Sequence, residues 1–373
     1  MYLKAFLNQP ALLQILCHFL KKYKIRIFKN LMNQSFSTMI PIYSYPTTIL
    51  FLDNNIDYLN NLRLRLPSNH FSFRLYNNHK KALDYILTNH HTTNDPKDYW
   101  RSANPVHLDS FVVELDIPSL YHKCYNPDRF QALSTVVVDY DIHNIDGLDF
   151  LKKIQFPGIH RILLTDEANV HIAIDAFNAG LINQYLKKQD PNLETLLINT
   201  FLKSQIAYFN YLSFAVIDVL NHQENYYCAL LEPEFEKFFY ETLMSYNIIE
   251  YYLLDTIGSY LMITDTNEII ILHTQNEDQA KSYYLEIKDL GPEYFTDEEK
   301  DSIKNRDKIF CYRSFYEERF PDPSLWKQYY RNAHKIQGNN KFYCSIEKCT
   351  MGIDFKKIIP FTLYTKDRRS IFD

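Results

Sequence analysis

Asp139 ends the apolar run Ser134 to Val138 and is followed by Tyr140, Asp141 and, a few residues on, Asp146-Gly147. A carboxylate in such a place can attack phosphorus and carry an aspartyl phosphate, provided that charge on the transferred group is neutralised. Three other residue types suited to that chemistry also end apolar runs. Thr47 to Leu52 stops at Asp53-Asn54-Asn55, Arg161 to Leu164 stops at Thr165, and Gln184 to Leu186 stops at Lys187-Lys188. Asp53, Asp139 and the backbone carbonyl of Asp141 offer oxygen donors to a hard cation such as Mg2+, which keeps several of its waters. Asp139 would be the nucleophile, and Thr165 and Lys188 would act on the phosphoryl oxygens.

The elements that must position these groups are legible around them. Continuous β-branched runs read as strands buried on both faces, and amphipathic helical stretches between them imply right-handed crossovers and a parallel sheet. The carboxyl ends of such strands meet at one rim, where open α/β sheets place ligands. Taken singly, an Asp after a strand is usually a turn or cap residue, and Thr165 reads as a cap for a helix starting near Asn169. The shared strand-end position of all four argues for chemistry.

In order, Asp53-Asn54-Asn55, Asp139-Tyr140-Asp141, Asp146-Gly147, Thr165, Ala179-Gly180 and Tyr185 to Lys188 resemble the receiver domains of two-component response regulators. The resemblance covers roughly residues 46–205. It implies a flavodoxin-like, doubly wound, five-stranded parallel α/β domain phosphorylated on Asp139 by a sensor histidine kinase or phosphotransfer protein. It further implies Mg2+ near Asp53, Asn54, Asp139 and the Asp141 carbonyl, and a homodimer formed on phosphorylation. Catalysis would be confined to the domain's own phosphoryl transfer and dephosphorylation.

The segment Gly180 to Leu186 matches the longer of two family spacings, which selects Lys188 over Lys187 and puts Tyr185 at the switch-aromatic position beside Thr165. There are departures. Asn54 replaces the second acid, which implies weaker metal binding, His143 and Gln189 stand where Pro is usual, and Asp166 replaces a small residue.

The receiver accounts for less than half of the 373 residues, so further units are expected. Residues 1–45 read as an extension whose first 30 residues hold several lysines and no acid. Its apolar run is too short to span a membrane, and Met32 is a candidate translation start. Extra length between a helix at about His79 to Thr88 and the strand ending on Asp139 reads as an insertion over about 90–130. The adjacent His90 and His91 there lack ligand spacing. Residues 206–221 read as a helical connector, continuing a helix from Asn192, whose apolar stripe would pair with another copy or pack on the next domain.

Residues 222–373 read as a mixed α+β output domain. Strands are expected over Ile248–Asp255, Ser259–Thr264 and Glu268–Thr274. Helices are expected over Glu232–Tyr246, Asn276–Leu290, Thr296–Arg306 and Ser324–Lys335, on one side of a mixed sheet. The six scattered cysteines contain no C-x-x-C and read as free thiols of a cytoplasmic protein without integral membrane association.

No cyclase, phosphodiesterase, ATPase or helix-turn-helix motif is present in that half. Its charge is uneven: residues 222–299 carry 17 acids and 3 bases, residues 300–373 carry 16 bases and 9 acids. Lys356, Lys357, Arg368 and Arg369, interleaved with aromatics such as Tyr364, read as candidate nucleic-acid contacts. The competing reading is that the basic half neutralises the acidic half within one domain. The overall pattern resembles quorum-sensing response regulators, which implies control of growth-phase, motility and virulence programmes through gene expression. A protein-interaction or sequestration module is the alternative output.

Overall fold

Burial along the apolar runs decides the architecture. The computed structural model describes residues 40–67, 70–90, 100–102, 113–165, 170–222, 228–311, 322–348 and 357–367. In it β1 (Tyr43–Ser44), β2 (Thr47–Leu52), β3 (Phe71–Tyr76), β4 (Leu133–Asp139), β5 (His160–Thr165) and β6 (Gln184–Lys187) follow one another. Strands β2 to β6 make a five-stranded sheet, ordered β3-β2-β4-β5-β6 and parallel throughout. This is the flavodoxin-like order.

Every residue of β2 and β4 is buried. Successive side chains leave a strand on opposite faces. Thus Leu50, Leu52, Val136, Val138 and Leu163 enter one core, while Ile49, Phe51, Val137, Ile162 and Leu164 enter the other. Each fully buried side chain of this size contributes about 1.5–3 kcal/mol relative to exposure. A run that can bury the side chains of both its faces therefore settles as a central strand.

Helices α1 (Ile56–Arg65), α2 (His79–His90), α3 (Gly147–Lys152), α4 (Val170–Asn178) and α5 (Leu193–His222) complete this half. Asn55 caps α1, its Oδ1 accepting the Tyr58 N–H at 2.9 Å. Asp146 caps α3, accepting the Leu148 N–H at 2.7 Å. Both caps pin the loops that carry the strand-end acids. Between α2 and β4 lie a short antiparallel pair, Trp100–Ser102 with Val113–Leu115, and the helical turns Ile117–Tyr121, His122–Tyr125 and Pro127–Gln131. Residue 91, like the amino-terminal segment before Ile40, is outside the described residues.

The second half adds α6 (Pro233–Ser245), β7 (Ile248–Leu253), β8 (Tyr260–Thr264), β9 (Ile269–Asn276), α7 (Glu277–Ile287), α8 (Asp297–Lys304), β10 (His334–Gln337), β11 (Lys341–Lys348) and α9 (Phe361–Asp367). Its six-stranded sheet runs β1-β7-β8-β9-β11-β10. Two expectations are corrected here. The sheet is antiparallel in every ladder rather than mixed. It is also covered on both faces, because Phe342 and Cys344 of β11 pack with Phe235 and Phe239 of α6, whereas Tyr343 packs with Ala280 of α7.

The expected helix Ser324–Lys335 is corrected as well. Pro323–Tyr329 forms a 3-10 helix, Tyr330–Asn332 pairs with Lys308–Phe310, and β10 pairs with β11. Cross-strand partners override the local helical pattern of so short a stretch.

Helix α5 spans both halves. Leu193, Leu197 and Phe201 belong to the core of the parallel sheet, and Phe209, Leu212, Val216 and Ile217 to that of the second sheet. Most of the connector stripe is therefore covered, with Tyr211 and Phe214 exposed. Among the described residues no helix is long and apolar enough to cross a membrane.

Candidate functional site

The parallel register brings the strand ends together. Leu52 lies opposite Val138, Asp139 opposite Leu164, and Lys187 opposite Thr165. Asp53, Asp139 and Thr165 are buried beneath the rim. Lys188 reaches both acids, with its Nζ 2.7 Å from Asp53 Oδ2 and 2.9 Å from Asp139 Oδ2. Lys187, one residue earlier, is exposed. A one-residue step at a strand end changes the face, and the Lys188 N–H donating to the Thr165 carbonyl at 3.0 Å holds the chosen one.

The electrostatics follow from crowding. Burial raises the Asp139 carboxyl above the usual aspartate value and the Asp53 charge raises it further, while the Lys188 hydrogen bond and charge and the Tyr140 N–H pull the other way. Burial disfavours the Lys188 ammonium, but hydrogen bonds and charges from Asp53 and Asp139 outweigh it, leaving Lys188 raised. A buried cation thus holds two buried acids in place, and Asp53 is further fixed by the Asn55 N–H, which donates to its Oδ1 at 2.8 Å.

Asn54 has a role that residue type alone did not disclose. Its Nδ2 donates to the Asp141 carbonyl at 2.7 Å, and its Oδ1 accepts the His143 N–H at 2.9 Å. The two bonds identify the ends of the amide, since its oxygen meets an N–H and its nitrogen meets a carbonyl. In this arrangement Asn54 straps the 141–143 turn to the end of β2 and turns a donor, rather than an oxygen, toward Asp141.

The donor set suits a small hard cation. Two carboxylates and the Asp141 carbonyl are oxygen ligands of the kind Mg2+ takes when it retains its waters. Among the described residues no group of three or more His, Cys, Asp and Glu forms a complete metal cage. Asp53, Asp139 and the Asp141 carbonyl fit the sparser requirement, and Asn54 supplies an oxygen only if its amide releases the turn.

Two further features shape the rim. A Cβ on Gly147 would stand 2.1 Å from the Asp139 backbone oxygen, so only glycine permits this close return of the loop, closed by the Gly147 N–H to the Tyr140 carbonyl at 2.8 Å. Tyr185 is half-buried against the core that also holds Val138 and Leu163. Burial raises its phenol above the usual range.

Lys357 is exposed, whereas Lys356, Arg368 and Arg369 lie outside the described residues. Elsewhere, bases of the basic segment pair with acids of the acidic one: Arg306 with Glu277 at 2.9 Å, Lys327 with Glu299 at 2.6 Å and Lys348 with Glu268 at 2.8 Å. Each such surface pair adds little stability, but together they mix the two signs of charge. Cys124, Cys228, Cys311 and Cys344 are buried and form no disulfide with one another.

Comparison with protein-family models and with curated proteins found no match. Among solved structures, the chain is similar to the Legionella pneumophila response regulator LqsR, at 26% identity and a TM-score of 0.70, covering 89% of this chain and 97% of that one. A signal receiver domain of an HD domain-containing protein from Pseudomonas fluorescens Pf-5 matches at 19% identity and a TM-score of 0.29, over 45% of this chain and 91% of its own. A CheY-like receiver domain protein from Methanospirillum hungatei JF-1 matches at 16% and 0.28, over 43% and 96%. With its flavodoxin-like sheet and its near full-length likeness to LqsR, the chain resembles the two-component response regulators.

Proposed function

We propose that this chain is a cytoplasmic response regulator, phosphorylated on Asp139 by a sensor histidine kinase or phosphotransfer protein. The observation that carries the reading is Lys188 bridging Asp53 and Asp139 at the rim. An Asp139 oxygen attacks phosphorus as the bond from phosphorus to the donor histidine nitrogen breaks, and the histidine leaves as a neutral ring once protonated. Lys188 shifts from carboxylate to phosphoryl oxygen and keeps the added charge paired; the Thr165 hydroxyl donates to another oxygen. Mg2+ on Asp53, Asp139 and the Asp141 carbonyl would supply further charge neutralisation when bound. Thr165 and Tyr185 form the switch pair, and phosphorylation drives dimerisation.

Residues 46–205 form the receiver, 206–221 the connector and 222–373 the output domain of this reading. The output regulates gene expression, and assignment to a quorum-sensing circuit rests on the sequence resemblance. Ion pairing across the acidic and basic segments favours a phosphorylation-dependent protein-interaction output over nucleic-acid contact. A salt-sensitive DNA or RNA shift that Lys356→Ala with Lys357→Ala weakens would reverse that preference.

The test of the receiver reading is phosphotransfer from autophosphorylated sensor kinases with Mg2+, comparing the native chain with Asp139→Asn and following mass by light scattering. Labelling that the substitution abolishes, with dimerisation of the labelled chain, is the expected result. Equal labelling of Asp139→Asn would refute the assignment.

A further inference from the structure

The strands that end on Asp53 and Asp139 are held at their other ends as well. β1 pairs with β7 of the second sheet, Tyr43 opposite Tyr252 and Ser44 opposite Tyr251. Only Tyr45 and Pro46 separate β1 from β2. Two extended residues span about 7 Å and leave no slack, so β2 cannot slide without pulling on β7.

β4 is tied to the same strand. Four residues before it begins to pair, Arg129 sends Nε and a terminal nitrogen to Glu250 Oε2 of β7, at 3.1 and 2.9 Å. Tyr252 donates to the same oxygen at 2.9 Å, and Arg129 also donates to the Ile359 carbonyl at 2.9 Å. The two charged side chains are 2% and 0% exposed. Phe130 follows, its ring 5.0 Å from both Phe361 and Tyr364 of α9. Thr48 of β2 closes the assembly, its N–H donating to the Ala132 carbonyl and its hydroxyl to that of Phe130.

A buried ion pair is a poor way to gain stability, because desolvation of both ions offsets their attraction and an apolar pair of equal volume does as well. Here Glu250 Oε1 has no hydrogen-bond partner among the described residues, so the arrangement is not even fully satisfied. What the pair does supply is direction: its two hydrogen bonds set the approach of the segment leading into β4 to Glu250 of β7.

We propose that β7 is a coupling joint, gripping β2 through β1 and β4 through Arg129–Glu250, so that changes at the Asp139 rim and in the second domain are linked along these two strands. This path is separate from Thr165 and Tyr185, which lie on β5 and β6. It rests on the receiver reading of Asp139.

The experiment is hydrogen exchange of the full chain with and without beryllofluoride and Mg2+, a non-covalent stand-in for the phosphoryl group. The native chain should change exchange at residues 139–147 and also at Ile248–Leu253 and Phe361–Asp367. In Glu250→Gln the first change should remain and the second fall by about fivefold, the low end of measured coupling between sites. Tyr252→Phe, which removes one hydrogen bond to the same carboxylate, should reduce the second change in the same sense and serves if Glu250→Gln does not fold. A full response of the second domain in both variants, or none in the native chain despite a response at 139–147, overturns the joint. No response at 139–147 in the native chain overturns the receiver reading itself, and the joint with it.

Discussion

Asn54 and Asp141, 87 residues apart in sequence, are joined by a 2.7 Å hydrogen bond from the Asn54 amide to the Asp141 carbonyl. The bond occupies a carbonyl suited to a cation, so metal binding competes with the strap. Asn54→Asp removes the donor and adds a hard, charged ligand. Mg2+ affinity should rise by about tenfold, read by titration of tyrosine fluorescence. The metal-free chain should lose about 1 kcal/mol of stability with the lost hydrogen bond.

Lys188 and Lys187 should behave oppositely. Lys188→Met strips the cation from two buried acids, and breaking such a contact costs about 3–5 kcal/mol when the charges left behind stay ionised. Urea unfolding should show most of that loss at neutral pH, and phosphoryl transfer should fail. Lys187→Met, at an exposed side chain, should stay within about 0.5 kcal/mol and retain transfer. Equal effects would mean that the bridge is not what orders the rim.

The features that announced themselves in sequence are those set by short-range physics. β2 and β4 were readable because each is dominated by apolar and β-branched residues over a short run, the pattern of a strand buried on both faces. The strand-end positions of Asp53, Asp139 and Thr165 were readable because each follows or ends such a run, whereas Lys187 and Lys188 both follow Leu186 and only the spacing of the resemblance chose between them. The Asn54 strap was not, since His143 and Asp141 meet Asn54 only after the sheet has formed. Nor was Arg129–Glu250, a contact between residues 121 apart that leaves no local mark in either segment. The stretch at Tyr330 misled because its helical pattern is short, and pairing with Lys308–Phe310 decides it.

Gly147 is a position where a single methyl group should matter. In a helix, Ala is favoured over Gly by about 1 kcal/mol, and Gly147 opens α3. A Cβ there nevertheless meets backbone at 2.1 Å, and backbone cannot swing aside as a side-chain end does. Gly147→Ala should therefore destabilise by about 1–3 kcal/mol despite its propensity. It should also displace Asp139 enough to slow labelling, measured together with the urea midpoint. Gly180→Ala is the control: nothing lies within 4 Å, but its φ of +67° is left-handed, so it should cost about 1 kcal/mol without affecting labelling.

His160, at the start of β5, supplies a pH dependence remote from the rim. Burial, with Arg161 adding to it, lowers its imidazolium from the ordinary 6.5 to about 4. The unfolded chain therefore binds a proton between those values that the folded chain refuses. Its contribution to stability is fully present above pH 6.5 and is lost as pH falls toward 4, amounting to about 2–3 kcal/mol. His160→Leu should remove this slope. Unfolding of both chains at pH 7.5, 6 and 5 isolates it by difference, because other titrating groups are common to the two. A constant difference across the three would mean that the folded chain accepts the proton, and that the buried ring finds a partner once charged.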